Sequence, residues 1–325
     1  MKFPIKLLLA VFSLLFLFFL LLSLKAISDF TLSEGGGESI PEYSYAFFLP
    51  ALDYPYFNSL KQGALDGAED YNSIITFYEI DTDPLSLQMA PYCGADGVAL
   101  YPTTDELISG ECLECLAGSD IPILFLEHNV THSSAYFVGT NSFEVGKRIG
   151  ELVRSRDTRA VSCALIFSEK SPGLLADRDL VEMGFRQIMG EKLPEKLIFR
   201  VTDRNPLDAE GLVYRLLQEK PDLDTMVFTD SNDTLAAVQV LVDQNLVGKV
   251  EVIGFGEDRA IVDYIGKGVI RGTVVRDPYR IGYQAVEVLR GISDRGNASA
   301  YVDVGTRLIS QVNVGRLEER GDYEK

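Results

Sequence analysis

The sequence has few of the residues from which metal and nucleotide sites are built. It contains no tryptophan and only two histidines, His128 and His132, so a multi-histidine catalytic metal centre cannot be assembled from this chain alone. It also lacks a GxxxxGK loop followed by Ser or Thr, a GxGxxG after a strand, GxSxG and HExxH, which mark common nucleotide-binding and hydrolase sites. We therefore expect no cofactor, no metal ion and no enzymatic activity.

Basic residues are also scarce. There are 30 lysines and arginines against 48 aspartates and glutamates, which gives a formal net charge of -18. A surface of this sign repels phosphate backbones, so a general role in nucleic-acid binding is disfavoured. The hydrophobic fraction of 46% is that of an ordinary globular protein, and 325 residues are enough for two domains of usual size.

The amino terminus carries a long apolar run. Residues Leu7 to Leu24 are apolar except for two serines, and as a helix they would span roughly 27 Å of hydrocarbon. Lysines precede the run and acidic residues follow it, which by the positive-inside rule exports everything after Ala26. We predict a retained membrane anchor, a transmembrane helix, within residues 1–26 and a flexible tether over residues 27–42. A cleaved signal peptide is the alternative.

Four cysteines in an exported chain allow up to two disulfides, which a core of this size does not require. Cys112 and Cys115 have CxxC spacing, but the segment around them, Thr104 to Ser119, is predicted to be helical and lacks the strand-to-helix start of a thioredoxin-like site. We interpret the pair as structural or adventitious. A link from Cys93 to one of them, and the pairing of Cys163, stay open.

From Tyr43 onward, short apolar runs rich in β-branched and aromatic residues alternate with segments of helical period. This alternation is typical of a parallel sheet flanked by helices. About eleven candidate strands, the last from Tyr301 to Asn313, exceed what one such sheet usually holds. We therefore predict an α/β fold with two doubly wound parallel-sheet lobes.

The residues after each predicted strand are the most informative, because ligands of open α/β sheets lie outside the carboxyl ends of the strands. These residues are mostly polar and aromatic, which indicates reversible capture of a polar small molecule. They are residues 50–57, 101–104, 127–128, 140–141, 229–233, 256–258 and 276–277.

Several of these segments are similar to those of one protein family. They are Phe48-Leu-Pro-Ala-Leu-Asp-Tyr-Pro-Tyr-Phe-Asn-Ser-Leu-Lys-Gln-Gly63, Gly94-Ala-Asp-Gly-Val-Ala-Leu-Tyr-Pro-Thr-Thr104, Asp120-Ile-Pro-Ile-Leu-Phe-Leu126, Val227-Phe-Thr-Asp-Ser-Asn-Asp233 and Val252-Ile-Gly-Phe255. In this order they resemble the type I periplasmic sugar-binding proteins, the ribose- and galactose-binding group, which is related to the ligand-binding core of LacI-type repressors. The similarity runs from about Tyr45 to Asn313. The repressors themselves are disfavoured, because a membrane segment stands where a helix-turn-helix would be.

The resemblance implies two lobes joined by three hinge segments, near residues 139–141, 276–277 and 300–301. The first lobe would comprise residues 43–140 and 277–300. The second lobe would comprise residues 141–276 and 301–325. It also implies that a sugar binds between the lobes and closes them, because contacts made only in the closed form supply the differential affinity that closure requires.

The resemblance implies aromatic ligand contacts in the first lobe. Tyr54, Tyr56 and Phe57 match a stretch in which one polar residue bonds a hydroxyl and aromatic rings face the sugar, whose C–H face is apolar. The alternative is that Tyr56 and Phe57 cap the core. Tyr101 precedes a proline where the family often has a polar residue, and we expect it to line the cleft.

Glu127 and His128 stand where similar sugar binders carry an Asp-Arg pair that grips neighbouring hydroxyls. The carboxylate of Glu127 remains an acceptor, whereas His128 lacks the planar fork and the fixed charge of arginine. We include both residues in the predicted site. The alternative for Glu127 is a surface or hinge carboxylate.

In the second lobe, Asn232 matches the cleft asparagine of the family, and Asp230 is a second candidate contact. The alternative for Asn232 is a helix N-cap. The family's Gly-Phe-Asp reads Gly254-Phe255-Gly256 here. Its ligand carboxylate is therefore absent unless Glu257 or Asp258 replaces it.

Two cationic positions also depart from the family. The family's arginine falls on Val181, which leaves Arg178 or Arg186 as substitutes, and Arg178 is nearer the predicted helix start. Arg276 stands where ribose binders have a glutamine and adds a cation at the hinge. These changes favour a sugar other than ribose, or a derivative that carries a negative group.

The predicted function is that of an extracytoplasmic solute-binding protein that captures a monosaccharide or a sugar derivative by hinge closure. It would present the closed form to an ABC sugar transporter, or to a membrane sensor kinase or chemoreceptor. The alternatives are a structural surface protein and an exported glycoside-processing enzyme that uses paired carboxylates such as Asp230 and Glu257.

Overall fold

The chain divides into two units, Met1–Pro41 and Glu42–Lys325. The computed structural model describes residues 14–23, 25, 41–51, 54–80, 90–102, 121–127, 135–155, 162–171, 175, 177–205, 207–296 and 298–315.

The first unit contains part of the predicted anchor. Residues 14–23 are helical, and their side chains are exposed. Among the residues that the structure describes, no helix is both long enough and apolar enough to cross a membrane. The rest of the predicted anchor, most of the tether and the predicted helix Thr104–Ser119 with Cys112 and Cys115 lie outside the described residues.

The first lobe of the second unit is built on a six-stranded parallel sheet with the order β11-β5-β4-β3-β1-β2. The two central strands β3 and β4 are buried at every position, whereas the edge strand β2 alternates between half-buried and exposed residues. This is the pattern of a sheet with helices on both faces. Its strands are β1 (Tyr43–Pro50), β2 (Ser73–Ile80), β3 (Gly97–Leu100), β4 (Ile123–Leu126), β5 (Ala135–Gly139) and β11 (Tyr301–Asp303).

The second lobe repeats this plan in the order β12-β10-β9-β8-β6-β7, with β12 antiparallel to β10 and the other pairs parallel. Its strands are β6 (Ser162–Ser168), β7 (Lys196–Thr202), β8 (Thr225–Phe228), β9 (Glu251–Phe255), β10 (Ile270–Val275) and β12 (Arg307–Ser310).

Seven α-helices of the second unit are described. They are α1 (Pro55–Asp70), α2 (Ser142–Arg154), α3 (Arg178–Met189), α4 (Asp208–Glu219), α5 (Ser231–Asp243), α6 (Arg259–Gly266) and α7 (Pro278–Arg295), with single 3₁₀ turns at Ala90–Tyr92 and Gly190–Lys192.

Each lobe contains one pair of helices that touch backbone to backbone. In the first lobe α1 packs on α7, and in the second α2 packs on α3. A Cβ atom on Gly282 of α7 would lie 2.0 Å from the carbonyl oxygen of Leu60, and one on Gly184 of α3 would lie 2.0 Å from that of Phe143. Only glycine allows the two helices of each pair to approach this closely.

Within the residues that the structure describes, the chain crosses between the lobes three times. The first crossing follows β5 at Thr140 and Asn141, and the second lies at Arg276 and Asp277, just before α7. Asn141 and Asp277 also cap the helices that follow, because their side-chain oxygens accept backbone N–H groups of α2 and α7.

The third crossing differs from the expectation. The last strand, predicted to be continuous from Tyr301, is two strands in different sheets, and β11 belongs to the first lobe. The chain crosses at residues 304–306, not at 300–301. Gly305, between β11 and β12, has a φ of +79°, a left-handed conformation that glycine adopts readily. The carboxylate of Asp303 accepts the backbone N–H of Asn141 at 3.2 Å and so ties the third crossing to the first.

Candidate functional site

A cavity of about 380 Å³ opens between the two lobes, where the carboxyl ends of the strands of both sheets meet. Its volume lies within the range of about 300–1,000 Å³ that is usual for small-molecule pockets. Residues of both lobes and of the second crossing line it, so the site is incomplete in either lobe alone.

The first-lobe wall is aromatic. Proline at the first position of α1 starts the helix directly after Tyr54, which places the rings of Tyr54 and Tyr56 in the cavity wall. Tyr101 follows β3 and also lines the cavity, with its ring centroid 6.4 Å from that of Tyr56. Phe57 does not line the cavity; it is buried in the first-lobe core behind Tyr101, with the two centroids 5.1 Å apart.

Glu127 lies buried behind this wall, where it joins the first lobe to the first crossing. Its carboxylate accepts the hydroxyl of Tyr56 at 2.6 Å and the backbone N–H of Thr140 at 3.2 Å. Glu127 itself has a φ of +64°. A Cβ atom on the adjacent Gly139 would lie 2.7 Å from the Glu127 backbone, so this turn requires glycine there.

Arg276 connects the two lobes through aromatic rings. Its guanidinium carbon lies 4.6 Å from the ring centroid of Tyr56 in the first lobe and 5.1 Å from that of Phe255 in the second, both within cation–π distance. Its Nη1 lies 3.6 Å from a carboxylate oxygen of Glu127. Within the described part of the chain, Nε and Nη1 of Arg276 are buried and have no hydrogen-bond partner.

Burial and charge act in opposite directions on Arg276. Burial alone would lower the pKa of the guanidinium, but Tyr56, Glu127 and Tyr101 together raise it above its ordinary value, so Arg276 is charged. The pKa of the Tyr56 hydroxyl is well above its usual range, first because it is buried and second because the Glu127 carboxylate is close. Tyr56 is therefore a neutral donor to Glu127.

The second-lobe wall is polar and centres on the start of α5. Asp230 is the N-cap, since its side chain accepts the N–H of Asp233 at 3.1 Å. Asn232, in the first turn, lines the cavity and does not cap the helix. Burial and the nearby Asp233 carboxylate raise the pKa of Asp230, although the N–H of Asp233 and the ammonium of Lys170 act against the rise.

The conformation at Gly256 accounts for the departure from the family's Gly-Phe-Asp. Gly256 has a φ of +89°, which a side chain would strain. Glu257 and Asp258 both line the cavity but are exposed. Glu257 pairs with Arg307 at 2.9 Å, which places both acids at the rim.

A buried ion pair in the second-lobe wall was not predicted from the sequence. The ammonium of Lys170, two residues after β6, lies 2.7 Å from one carboxylate oxygen of Asp233, and both side chains are 2% exposed. Thr202 donates its hydroxyl to the other oxygen of Asp233. Lys170 lies beyond the carboxyl end of a parallel strand, as the predicted site residues do. The same criterion would have identified it if it had been applied after β6.

Among the residues that the structure describes, three predicted site residues lie outside the cavity wall, namely Phe57, Glu127 and Arg178. Arg178 is at the start of α3 with its side chain 63% exposed and paired with Asp179. Val181 is fully buried in the core of the second lobe, so its backbone position offers no side chain to the cleft. His128 lies outside the described residues.

The wall chemistry suits reversible binding of a neutral polar molecule. Four tyrosines line the cavity together with donors and acceptors that include an amide, a hydroxyl and an acid. In the part of the chain that the structure describes, no three or more His, Cys, Asp or Glu side chains are grouped so as to hold a metal ion.

Comparison with known proteins gives one family. The model of the periplasmic binding protein domain matches residues 45–297, most of the chain. The ribose import binding protein of Haemophilus influenzae is 21% identical over 271 residues, which cover 82% of this chain and 91% of that protein.

Solved structures of similar fold include two binding proteins with ligands. One is a carbohydrate transporter solute-binding protein from Agrobacterium radiobacter in complex with D-arabinose, with a TM-score of 0.73, 18% identity and coverage of 87% of this chain and 99% of that one. The other is the Caulobacter myo-inositol-binding protein bound to myo-inositol, with a TM-score of 0.74, 17% identity and coverage of 86% and 97%. These likenesses confirm the predicted two-lobed α/β fold, and the relatives are binding proteins, not enzymes.

Proposed function

Because the chain belongs to the family of periplasmic binding protein domains, we propose that it is an extracytoplasmic solute-binding protein that captures a sugar or sugar derivative between its lobes. The observation that carries this proposal is the difference between the two cavity walls, tyrosine rings on one side and polar groups on the other. A sugar has an apolar C–H face and a rim of hydroxyls, so it fits both walls. The sugar and polyol ligands of the related structures support this assignment.

The position of Arg276 supports closure of the lobes on the sugar. It lies on a crossing and stacks against one ring of each lobe. A guest that contacts Tyr56 and Asn232 at once bonds both walls only when they are close together. Such a guest stabilises the closed form by the difference in contacts between the open and closed forms.

We further propose that the closed form delivers the sugar to an ABC transporter, with presentation to a sensor kinase or chemoreceptor as the second output. The ribose import function of the Haemophilus influenzae relative supports transport. The apolar amino-terminal run supports retention at the extracytoplasmic face of the membrane. Fractionation of cells that express the full chain tests retention, which would be excluded by recovery in the released fraction alone.

A thermal-shift screen of the full chain tests the binding proposal. The panel contains D-ribose, D-arabinose, D-glucose, D-galactose and myo-inositol. A compound at about 100 times its Kd adds about 2.7 kcal/mol to the free energy of unfolding. We expect at least one of them to raise the melting temperature, and Asn232→Ala to remove most of that rise, because Asn232 offers both a donor and an acceptor to hydroxyls.

Gln239→Ala is the matched control. Gln239 is an exposed amide on the same helix, outside the cavity wall, so this substitution should leave the shift unchanged. A panel without any response would contradict the sugar assignment. An undiminished response of Asn232→Ala would instead exclude Asn232 as a contact.

A further inference from the structure

Lys170 is a buried cation that the predicted site does not contain, although it lines the cavity. Lysine is rarely buried to this degree unless it is paired, and here the pair is Asp233, itself held by Thr202. This pairing holds the Lys170 side chain in the second-lobe wall of the cavity. Arg178, the cation expected to serve the second lobe, points into solvent.

The ammonium of Lys170 has donors to spare. A lysine carries three N–H groups, and among the described residues only Asp233 accepts one of them. The neighbouring hydroxyl of Thr229, which also lines the cavity, is buried and has no hydrogen-bond partner within the described part. Buried donors without acceptors cost free energy, so this corner of the wall is complete only when a guest supplies acceptor oxygens.

The charges around Lys170 determine which kind of acceptor oxygen its ammonium can bind. Asp233 neutralises its charge at 2.7 Å, and the half-buried carboxylate of Asp230 stands beside the pair in the same wall. Three more acidic residues line the rim, namely Glu257, Asp258 and Asp277. The positive charge of Arg276 is offset by its partner Glu127. A guest with a carboxylate or phosphate would leave water for a wall without net positive charge, which is unfavourable.

We propose that Lys170 is the second-lobe cation that contacts the ligand, that Asp233 and Thr202 position it, and that the atom it binds is an uncharged oxygen of the guest. This inference rests on the proposed sugar-binding function and makes it more specific. Uncharged sugars and polyols are then the ligand class, and sugar phosphates and sugar acids are excluded.

The test measures Kd by calorimetry on the full chain, with the same uncharged panel and with D-ribose 5-phosphate. The decisive variant is Lys170→Met with Asp233→Asn, because the removal of both charges leaves no unpaired ion in the wall. We expect it to weaken binding of the tightest panel sugar by roughly tenfold or more, the size expected for a charged donor. Arg178→Ala, a cation in the same lobe but exposed, should change the Kd less than about twofold.

Singly deoxygenated analogues of the same sugar separate direct contact from a structural effect. If Lys170 bonds one hydroxyl, one analogue should bind wild type weakly and lose little further in the variant, because the two changes remove the same bond. A purely structural role would lower the affinity of every analogue equally and overturn the inference. If the double variant does not fold, Lys170→Gln, which can still bond Asp233, takes its place with the same expectation.

The remaining outcomes separate this inference from the proposed function. An unchanged Kd in the folded variant removes Lys170 from the site while sugar binding stands. Tighter binding of D-ribose 5-phosphate than of D-ribose overturns the uncharged ligand class. Absence of binding by the wild type to any uncharged panel compound removes both proposals together.

Discussion

The two lobes share a backbone plan but differ in the side chains at the cleft. Each lobe has a six-stranded sheet and a pair of helices in backbone contact, at Gly63 and Gly282 in the first lobe and at Gly146 and Gly184 in the second. At the cleft the first lobe presents tyrosine rings, whereas the second presents a helix start and a buried ion pair. The backbone contacts that the lobes share therefore fix the positions of the two walls. The side chains that differ between the lobes determine what each wall can bind.

This difference between the walls gives a physical reason for the proposed closure of the lobes. Rings contribute area against an apolar face but do not satisfy hydroxyls, and polar groups satisfy hydroxyls but offer little apolar area. The first-lobe wall supplies most of the rings and the second-lobe wall most of the polar groups, so a sugar contacts both sets in full only when the walls are close together. Arg276, stacked on one ring from each side, is the group at which the two chemistries meet.

The largest expected effect breaks the shared plan. Gly282→Ala and Gly184→Ala would each force a Cβ atom to about 2.0 Å from a backbone carbonyl oxygen of the partner helix. Because backbone cannot move as a side-chain end can, we expect each to lower the free energy of unfolding by about 1–3 kcal/mol or more. Chemical denaturation measures the loss, and if the lobes unfold separately each variant should weaken its own transition.

Gly266→Ala is the control for this pair of variants. Gly266 is also in a helix, α6, but nothing lies within 4 Å of a Cβ atom placed there. We expect it to be neutral or to stabilise by about 0.4–1 kcal/mol. Equal stability of all three variants would contradict the tight helix contacts.

The next effect sharpens the contrast between the walls. Tyr56→Ala removes the ring on which Arg276 stacks, and we expect the Kd for the best panel sugar to rise roughly tenfold or more, since ring contacts and cation–π stacking are each worth about 1 kcal/mol. Tyr56→Phe keeps the ring and removes the donor to Glu127. It should therefore cost stability, by about 1–3 kcal/mol, more than affinity.

Tyr92→Ala serves as the control, because this tyrosine of the same lobe is 78% exposed and lies away from the cavity. Calorimetry gives the Kd of each variant, and denaturation gives its stability. Equal losses of affinity in Tyr56→Phe and Tyr56→Ala would mean that the hydroxyl, and not the ring, recognises the sugar.

Much of this arrangement can be read from the sequence, because strand ends are visible in hydropathy. Tyr56, Asn232 and Arg276 each follow an apolar run, and all three lie in the cavity wall. Parallel sheets bring such positions to one edge whatever the details of the loops. The location of the site therefore follows from the pattern of strands alone.

The orientation of individual side chains could not be read in this way. Consecutive residues on a helix point about 100° apart, so Tyr56 and Phe57 cannot both face the cleft, and the sequence does not say which one does. Likewise, the crossing between β11 and β12 contains Gly305 in a left-handed conformation, which hydropathy does not record. The contact between Lys170 and Asp233 joins a residue after β6 to the first turn of α5, 63 positions along the chain, and has no local signature.

The smallest expected effect is a pH dependence confined to the polar wall. Asp230 has a raised pKa, first because it is buried and second because Asp233 is near. A carboxyl group with a raised pKa favours folding when it is protonated, and this contribution is lost as the pH rises through its folded pKa. Asp230→Asn mimics the protonated form and keeps the N-cap, for which asparagine is equally suited.

We therefore expect Asp230→Asn, without sugar, to be more stable than wild type at pH 7. The difference should shrink as the pH falls and vanish below the ordinary aspartate pKa of about 3.9, where the carboxyl group is protonated in both the folded and the unfolded state. Denaturation across this pH range measures it, with Asp243→Asn, exposed at the other end of α5, as the control. A wild type that is more stable than Asp230→Asn at pH 7 would mean that the charged carboxylate stabilises this wall, because the attraction of Lys170 and the helix N–H groups then outweighs burial. In that case the second-lobe wall, like the hinge, would hold a buried carboxylate through its hydrogen-bond donors, as Glu127 is held. The contrast between the two walls would then rest on the tyrosine rings alone.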